Sequence, residues 1–251
     1  MNDLIAHYDA LAASRDRYRC RNQYYYSLLY QQYRYLIPRN KKVLEVGCGT
    51  GDLLNELKPS VGVGLDISPA MVKIAAQKFS HLKFQAADVS AAGLTEKFDY
   101  IVLSGVLGET DDIQKLLESL QPLCHPHTRL IIEYYSYLWQ YILKWGERFH
   151  LKIPQRIQNW VVSHDIENFL TLAGFETIKN DKRILCPVYI PLISFLLNKF
   201  IAPLPVFNAL TLTHFIVARP AVDPHTEFSV SILVPCRNEK GNIEQALTRT
   251  P

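Results

Sequence analysis

Three glycines at alternate positions follow a short β-branched apolar run. Residues 43–46 read Val-Leu-Glu-Val, Gly47, Gly49 and Gly51 come next, and Asp52 opens a leucine-rich helical segment. Glycine is required where the backbone takes a positive φ or closely approaches a ligand. A G-x-G-x-G turn between a strand and a helix therefore predicts a cradle for a small molecule.

Two carboxylates end the next two predicted strands. Asp66 follows an apolar run at residues 61–65, and Asp88 follows a strand predicted at residues 82–86. Ligands of doubly wound sheets bind at the carboxyl ends of strands, where Asp66 can accept both hydroxyls of a ribose. Asp88 can accept a hydrogen bond from an adenine amine while Ile67 and Val89 cover the ring. Two such carboxylates beside a glycine turn indicate a nucleoside site.

The glycine spacing and the absence of a phosphate-binding lysine after the turn indicate which class of nucleoside the site binds. Asp52 stands where the third glycine of a dinucleotide fingerprint would fall, which argues weakly against a nicotinamide cofactor. No phosphate-binding lysine follows Gly51. The pattern favours a ligand without phosphates.

The elements that position these residues alternate from residue 42 onward. Strands are predicted at 43–46, 61–65, 82–86, 100–103 and 129–132, and helices at 52–58, after Ser68-Pro69, at 112–120, 134–149 and 163–173. Residues 175–185 and 210–219 read as a closing pair of strands. Such alternation predicts an α/β fold with a Rossmann-like, doubly wound and mostly parallel sheet.

Four segments in order carry a family resemblance. Residues 45–51, 64–68, 87–89 and 98–102 resemble the successive motifs of class I S-adenosylmethionine-dependent methyltransferases, over residues 42–132. The resemblance implies seven strands with the last one antiparallel, and S-adenosylmethionine as cofactor. It implies that the glycine turn contacts the methionine, Asp66 the ribose, Ile67 the adenine face, and Asp88 with Val89 the adenine edge. The predicted cofactor residues are Glu45, Gly47, Cys48, Gly49, Gly51, Asp66, Ile67, Met71, Asp88, Val89 and Ser104.

A catalytic base is required only for some methyl acceptors, and the sequence assigns none. The candidates are Glu109, Glu133 with Tyr134 and Tyr135, and His164 with Asp165. Ser163-His164-Asp165 is more typical of a helix cap. Cys124-His125-Pro126-His127 lacks a fourth ligand at metal spacing, so no metal site is predicted.

Residues 1–41 are predicted to form a helical cap made of two helices, 3–13 and 18–36. Residues 15–42 contain eight basic residues and one acid, and six tyrosines lie at residues 24–35 within this range. This composition favours a cap over the ligand site, with nucleic acid or an anionic lipid head group as alternative partners. The rest of the chain is not basic, which makes nucleic acid the weaker alternative.

Residues 186–209 form an apolar insertion broken by four prolines. It is predicted to pack over the substrate pocket, to contact a membrane peripherally through residues 188–201, or to join the core. No window of about 18 uncharged apolar residues is present, so no membrane span is predicted. Five scattered cysteines fit a reducing compartment, and the expected location is cytoplasmic, at the inner membrane face if the insertion contacts lipid.

The expected domains are the cap, a methyltransferase domain at 42–219, a link at 220–228 and a further start at 229–251. Residues 231–239 resemble the opening strand of family 2 glycosyltransferases, so the chain is expected to be part of a methyltransferase–glycosyltransferase fusion. An eighth strand or a plain tail is the alternative. No sugar transfer is predicted, because the acidic metal-binding motif of that family is missing.

The leading functional hypothesis is a methyltransferase acting on a small-molecule, glycan or lipid-linked acceptor. The alternatives are a nucleoside-binding module that docks a glycosyltransferase without turnover, and an RNA methyltransferase. A nicotinamide oxidoreductase is more distant.

Overall fold

The computed structural model describes residues 2–154 and 160–221 of the 251-residue chain. Residues 222–228 of the predicted link and the glycosyltransferase-like start at 229–251 lie outside the described residues.

A seven-stranded sheet forms the centre of the fold, in the order β3-β2-β1-β4-β5-β7-β6. The strands are β1 (Lys42–Val46), β2 (Val61–Asp66), β3 (Lys83–Ala86), β4 (Phe98–Ser104), β5 (Cys124–Tyr135), β6 (Phe175–Arg183) and β7 (Thr213–Pro220). Strands β1 to β5 pair in parallel, and β7 pairs antiparallel with both β5 and β6. The predicted mostly parallel sheet with an antiparallel last strand is confirmed.

Helices cover both faces of the sheet. They are α1 (Asn2–Arg21), α2 (Gln23–Leu36), α3 (Asp52–Leu57), α4 (Pro69–Lys78), α5 (Ile113–Leu120), α6 (Gln140–Arg148), α7 (Ser163–Leu172), α8 (Ile193–Leu196) and α9 (Pro205–Ala209). Ser68 caps α4 by accepting a hydrogen bond from the Met71 N–H, and Pro69 occupies the first turn, as the sequence predicts.

Alternation along the strands divides the core in two. Leu44 and Val46 of β1 belong to the cluster that includes α5 and α7, whereas Val43 belongs to the cluster that includes α2 and α3. Successive side chains of a strand point to opposite faces. A residue's parity in its strand therefore decides which cluster it joins.

The predicted helical cap is present, and α1 is longer than expected, running unbroken over 20 residues. Asp9 of α1 accepts hydrogen bonds from the Ser68 hydroxyl at 2.5 Å and the Ala70 N–H at 3.1 Å. Lys78 at the other end of α4 contacts Asp16 at 2.9 Å. These contacts fix α1 along α4, beside the carboxyl ends of the parallel strands.

In the second half of the chain one predicted helix boundary is wrong, and one of the three alternatives for residues 186–209, joining the core, is excluded. The helix predicted from residue 134 starts only at Gln140, because Tyr134 and Tyr135 pair with His214 and Thr213 and so extend β5. Residues 186–209 are not core, since Ser194 and Ala202 are their only buried residues. Within the part of the chain that the structure describes, no helix is long and apolar enough to cross a membrane.

Candidate active site

A cavity of about 770 Å³ lies at the carboxyl ends of the parallel strands. Its volume falls within the range of about 300–1,000 Å³ that small-molecule sites occupy. One end is bounded by the glycine turn and the ends of β2 and β3, and the other by Glu133, Tyr135 and α6. Helix α1 contributes Leu4, Tyr8, Arg15 and Tyr18. The site therefore joins a nucleoside-type end to an aromatic end under a helical cap.

The glycine turn admits no side chain at its two cavity-lining positions. Gly47 has φ +77°, and a Cβ there would lie 2.4 Å from Val106 Cγ2. Gly49 has φ +52°, and a Cβ there would lie 2.7 Å from the Nε atom of Arg15. Both residues line the cavity. Glycine thus allows the backbone to turn and lets a guanidinium approach it directly.

Asp66 joins the turn to the end of β2. Its Oδ2 accepts the Gly49 N–H at 2.7 Å, and its Oδ1 accepts the Ser68 N–H at 2.9 Å. Burial raises the pKa of Asp66, and these two backbone hydrogen bonds oppose that shift. A carboxylate offers about four acceptor positions, so two stay available to a ligand. A diol is the group that two neighbouring acceptors of this kind recognise.

The end of β3 supplies the second predicted carboxylate. Asp88 lines the cavity, and its Oδ1 accepts both the N–H and the hydroxyl of Ser90. Ile67, Val89 and Met71 line the same end of the cavity. A flat apolar ring with a polar edge fits between such groups.

Arg15 is a cavity residue that the motif analysis missed. Burial alone would lower its pKa, but the nearby Tyr26 and Asp66 outweigh that effect and hold the pKa of Arg15 above its usual value. The guanidinium therefore remains charged beside Gly49. The local excess of basic residues was the only sequence signal for it, and that signal did not distinguish Arg15 from Arg17, which is exposed.

Tyr8 and Glu109 close the cavity from two elements distant in sequence. The Tyr8 hydroxyl of α1 donates a hydrogen bond to Oε2 of Glu109, which ends the short 3₁₀ helix Leu107–Glu109. Burial and the Glu109 carboxylate raise the pKa of Tyr8, so the phenol keeps its proton. Of the residues named as catalytic candidates from the sequence, Glu109, Glu133 and Tyr135 line the cavity.

Glu133 places a buried carboxyl at the other end of the cavity. It is 3% exposed, its Oε2 accepts the Ser104 hydroxyl at 3.2 Å, and its Oε1 has no partner among the described residues. Burial raises the pKa of Glu133 to about 7, against the hydrogen bonds from Ser104 and from the Gly105 backbone. Ser104, Glu133 and Tyr135 all line the cavity. This carboxyl can accept or release a proton near neutral pH.

Tyr134 and His164 lie elsewhere, which corrects their prediction as catalytic candidates. Tyr134 alternates with Glu133 along β5 and so faces the opposite side of the sheet, where its hydroxyl bonds Ser163 Oγ at 2.6 Å. His164 is exposed in the first turn of α7, and neither residue lines the cavity. The sequence predicted that this strand ends at residue 132. It therefore did not indicate to which face of the sheet the side chains of residues 133 and 134 point.

Three predicted cofactor residues, Glu45, Cys48 and Gly51, are also absent from the cavity lining. Glu45 is buried beside the α3 helix, where the Leu54 N–H bonds its carboxyl, and burial raises its pKa to about 8. Cys48 packs below the turn against Gly64, and Gly51 packs against Phe84. The side chains of Glu45 and Cys48 and the backbone of Gly51 therefore pack against the protein interior instead of lining the cavity.

The remaining predicted cofactor residues line one cavity. They are Gly47, Gly49, Asp66, Ile67, Met71, Asp88, Val89 and Ser104. The structure thus collects residues from four strand ends, as the motif order predicts.

Comparison with known proteins defines the class. Residues 18–180 match a family described as "Methyltransferase domain". This match covers more than half of the chain, and the chain belongs to that family. S-adenosylmethionine is the cofactor expected for such a domain.

Curated relatives match over short stretches. The chain is 31% identical over 125 residues to the non-reducing polyketide synthase ausA of Penicillium brasilianum, which covers 43% of this chain and 5% of that protein. A protein of Invertebrate iridescent virus 6 is 29% identical over 70 residues, or 26% of its length. The chain therefore spans well under two thirds of either relative.

Solved structures share the fold. A S-adenosylmethionine-dependent methyltransferase of Thermotoga maritima aligns with a TM-score of 0.66 at 15% identity, over 86% of this chain and 99% of that one. The magnesium protoporphyrin IX methyltransferase of Synechocystis PCC 6803, solved with S-adenosylhomocysteine, aligns with a TM-score of 0.52 at 19% identity, over 80% and 83%. At these identities the likeness concerns the fold alone.

Proposed function

We propose that this methyltransferase-family chain transfers the methyl group of S-adenosylmethionine to an acceptor bound at the Glu133 end of the cavity. The observation that carries the proposal is the coupling of Asp66 to the Gly49 turn within a cavity that continues to Glu133. One end suits a nucleoside and the other holds a buried proton acceptor.

The residues at the first end suit each part of the cofactor. In this proposal Asp66 accepts the ribose hydroxyls, and Asp88 with Ile67 and Val89 receives the adenine. Arg15 lies against Gly49 and holds the carboxylate of the methionine part, because a charged guanidinium binds a carboxylate strongly. Tyr8 closes the cavity by its hydrogen bond to Glu109 and limits access of water.

Methyl transfer itself requires little chemistry from the protein. S-adenosylmethionine supplies a methyl group that is already electrophilic on its sulfonium. Holding the reactants in line contributes up to about 7–11 kcal/mol through effective molarity. The glycine turn and helix α1, which is held along α4, position the reactants.

Glu133 is the proposed general base. Its Oε1 has no hydrogen-bond partner among the described residues, and Ser104 holds its Oε2 in place. A base whose pKa lies near the working pH is the most effective, and such groups contribute about 10²–10⁴-fold. Glu109 suits this role less well, because the Tyr8 hydroxyl already bonds its carboxylate.

The proposed acceptor is a lipid-linked or glycan-related molecule. Trp139, Trp145 and Phe149 line the cavity beyond Glu133, together with Pro187 and Val188 of the apolar insertion. The resemblance of residues 231–239 to a glycosyltransferase strand supports the same class, and a fused glycosyltransferase domain remains part of the proposal. RNA is less well supported, because Arg15, Arg19 and Arg34 make contacts within the protein.

Turnover tests the proposal. The full chain is incubated with S-adenosylmethionine and either a membrane-lipid extract, a soluble glycan extract or total RNA, and S-adenosylhomocysteine is measured. We expect product with the lipid or glycan pool and none with Asp66→Ala. Cofactor binding without product in any pool would support the silent docking module, and product with RNA alone would favour the RNA methyltransferase.

A further inference from the structure

Helix α6 is amphipathic and exposes its apolar side. Leu138, Tyr141, Ile142, Trp145 and Phe149 recur at helical spacing along one stripe, and no residue of α6 is buried. Tyr141 is 74% exposed and Trp145 is 61% exposed. An amphipathic helix normally buries such a stripe against the core. In this stripe Ile142, Trp145 and Phe149 border the cavity instead and remain exposed.

In residues 187–210 polar side chains face the protein and apolar side chains face the solvent, which is the reverse of the usual arrangement. Three polar side chains of this segment face inward. Asn198 accepts the N–H groups of Leu185 and Cys186 at 2.9 Å, buried Ser194 bonds Ile190, and Asn208 donates to the Lys182 and Ala202 carbonyls. The exposed side chains are apolar instead, including Val188, Tyr189, Leu192, Ile193, Phe195 and Phe200. Leu192 at the tip is 78% exposed. Exposure of this apolar surface to water is energetically unfavourable.

The two elements border one opening. The Trp139 indole N–H, just before α6, donates to the Leu210 carbonyl at 2.8 Å. Trp145 and Phe149 line the cavity together with Pro187 and Val188. The exposed apolar side chains of α6 and of residues 187–210 are called the apolar rim below. Exposed apolar surface of this extent marks an interaction site.

The charges on the apolar rim are mainly positive. Residues 184–210 contain no acidic residue, and their one charge is Lys199. Its ammonium lies 5.0 Å and 5.6 Å from the ring centres of Phe195 and Phe200. Lys144 and Arg148 are exposed on α6, whose Glu147 is paired with Lys152. Aromatic and aliphatic groups mixed with basic ones complement a bilayer with anionic head groups.

We propose that the apolar rim inserts into the surface of an anionic phospholipid bilayer, with the mouth of the cavity facing lipid. Lysine and arginine side chains reach the head groups while their stems stay among apolar side chains. The inference deepens the proposed function, on which its account of the acceptor rests. An acceptor with a lipid tail then enters the cavity without leaving the bilayer.

Vesicle binding by the full chain tests the proposal. The vesicles contain phosphatidylcholine and phosphatidylglycerol in a ratio of about 2:1, or phosphatidylcholine alone. We expect binding that is stronger on the anionic vesicles and weakened by salt. The Leu192→Ser/Phe195→Ser variant should bind at least about tenfold more weakly, because two inserted side chains are lost. Lys199→Gln should weaken binding about fivefold on anionic vesicles only, because one positive charge is lost.

Two controls keep the result interpretable. Leu172→Ser removes a 66% exposed leucine of α7 that does not line the cavity, and it should bind vesicles like the wild type. Calorimetric binding of S-adenosylhomocysteine should be unchanged in the Leu192→Ser/Phe195→Ser, Lys199→Gln and Leu172→Ser variants, which shows that each is folded. Quenching of tryptophan fluorescence by brominated lipid, reduced in Trp145→Phe, places α6 in the interface.

Three outcomes would overturn the proposal. One is an absence of vesicle binding while S-adenosylhomocysteine still binds, which leaves the proposed function intact. A second is equal weakening by Leu172→Ser. A third is concentration-dependent self-association that Leu192→Ser/Phe195→Ser abolishes without any vesicle binding, which would assign the apolar rim to a second copy of the chain. Failure of S-adenosylhomocysteine to bind would contradict the proposed function instead.

Discussion

The Gly49 N–H donates a hydrogen bond of 2.7 Å to Oδ2 of Asp66, so the glycine turn and the end of β2 form one unit. The same glycine lies against Arg15 from the other side. The Arg15 side chain, the glycine turn and the Asp66 carboxylate are thereby held in a fixed order in space. This order matches a ligand with a carboxylate at one end and a diol further along.

Arg15→Ala should weaken binding of S-adenosylhomocysteine about tenfold, since one charge-assisted interaction is lost. Binding of 5′-methylthioadenosine, which lacks the amino-acid part, should be unchanged. Calorimetry with both ligands makes the comparison, and Arg17→Ala is the matched control because Arg17 is exposed on the same helix. Equal losses for both ligands would show that Arg15 does not bind the amino-acid part.

Asp9→Ala should lower the free energy of unfolding by about 1–2 kcal/mol, because the Ser68 hydroxyl and the Ala70 N–H lose a charged acceptor at the start of α4. Trypsin should cleave α1 faster in this variant. Urea denaturation and timed proteolysis measure the two effects. Asp9→Asn keeps an acceptor oxygen and should recover part of the loss. Cleavage at the wild-type rate in Asp9→Ala would show that the contacts of Asp9 do not hold α1 against α4.

Glu133→Gln should reduce kcat/KM by about 10²–10⁴-fold if the acceptor atom that receives the methyl group must lose a proton. In the wild type, kcat/KM should rise with pH through about 7, where buried Glu133 becomes ionised. The variant should lack this limb of the profile. Glu176→Gln, on the far edge strand, is the control. An unchanged pH profile in Glu133→Gln would remove Glu133 as the base.

Glu45→Gln should flatten the dependence of stability on pH. Burial raises the pKa of Glu45 from 4.5 to about 8, although Arg15 and the Leu54 N–H oppose the shift. The folded chain therefore holds a proton that the unfolded chain releases, and wild-type stability falls as pH rises through this window. The loss is about 1.4 kcal/mol per pH unit at most.

Urea unfolding between pH 7.5 and 8.5 measures this effect above the pKa of about 7 of Glu133, another buried carboxyl, whose slope has the same sign. The pKa of His214, lowered to about 4 by burial, gives stability the opposite slope only below pH 6.5. Glu118→Gln, exposed on α5, serves as the control and should keep the wild-type slope. Identical slopes for the wild type and Glu45→Gln would show that the buried carboxyl is already ionised.

Local sequence was sufficient for the nucleoside end of the cavity. Gly47, Gly49, Asp66 and Asp88 each lie at or just after the carboxyl end of a strand, and a parallel sheet brings these ends to one edge. Arg15 could not be found in this way. Its position depends on how α1 docks along α4, through contacts such as Asp9 with Ser68 that no local pattern records.

The acceptor end depends on features that periodicity leaves undecided. Glu133 and Tyr134 are neighbours, yet one faces the cavity and the other faces Ser163, because β5 continues to Tyr135 through pairing with β7. The apolar composition of residues 186–209 predicted contact with something apolar, but not its direction. Hydrogen bonds of Asn198 to the backbone orient the segment with its apolar groups outward.

The most direct test of cofactor binding is calorimetry on the wild type, Asp66→Ala and Asp165→Ala. Asp165 is exposed at the start of α7 and does not line the cavity. We expect the wild type and Asp165→Ala to bind S-adenosylhomocysteine and 5′-methylthioadenosine alike. Asp66→Ala should bind both at least about tenfold more weakly, because both ligands carry the ribose. No binding by the wild type, or equal affinity in Asp66→Ala, would contradict the account.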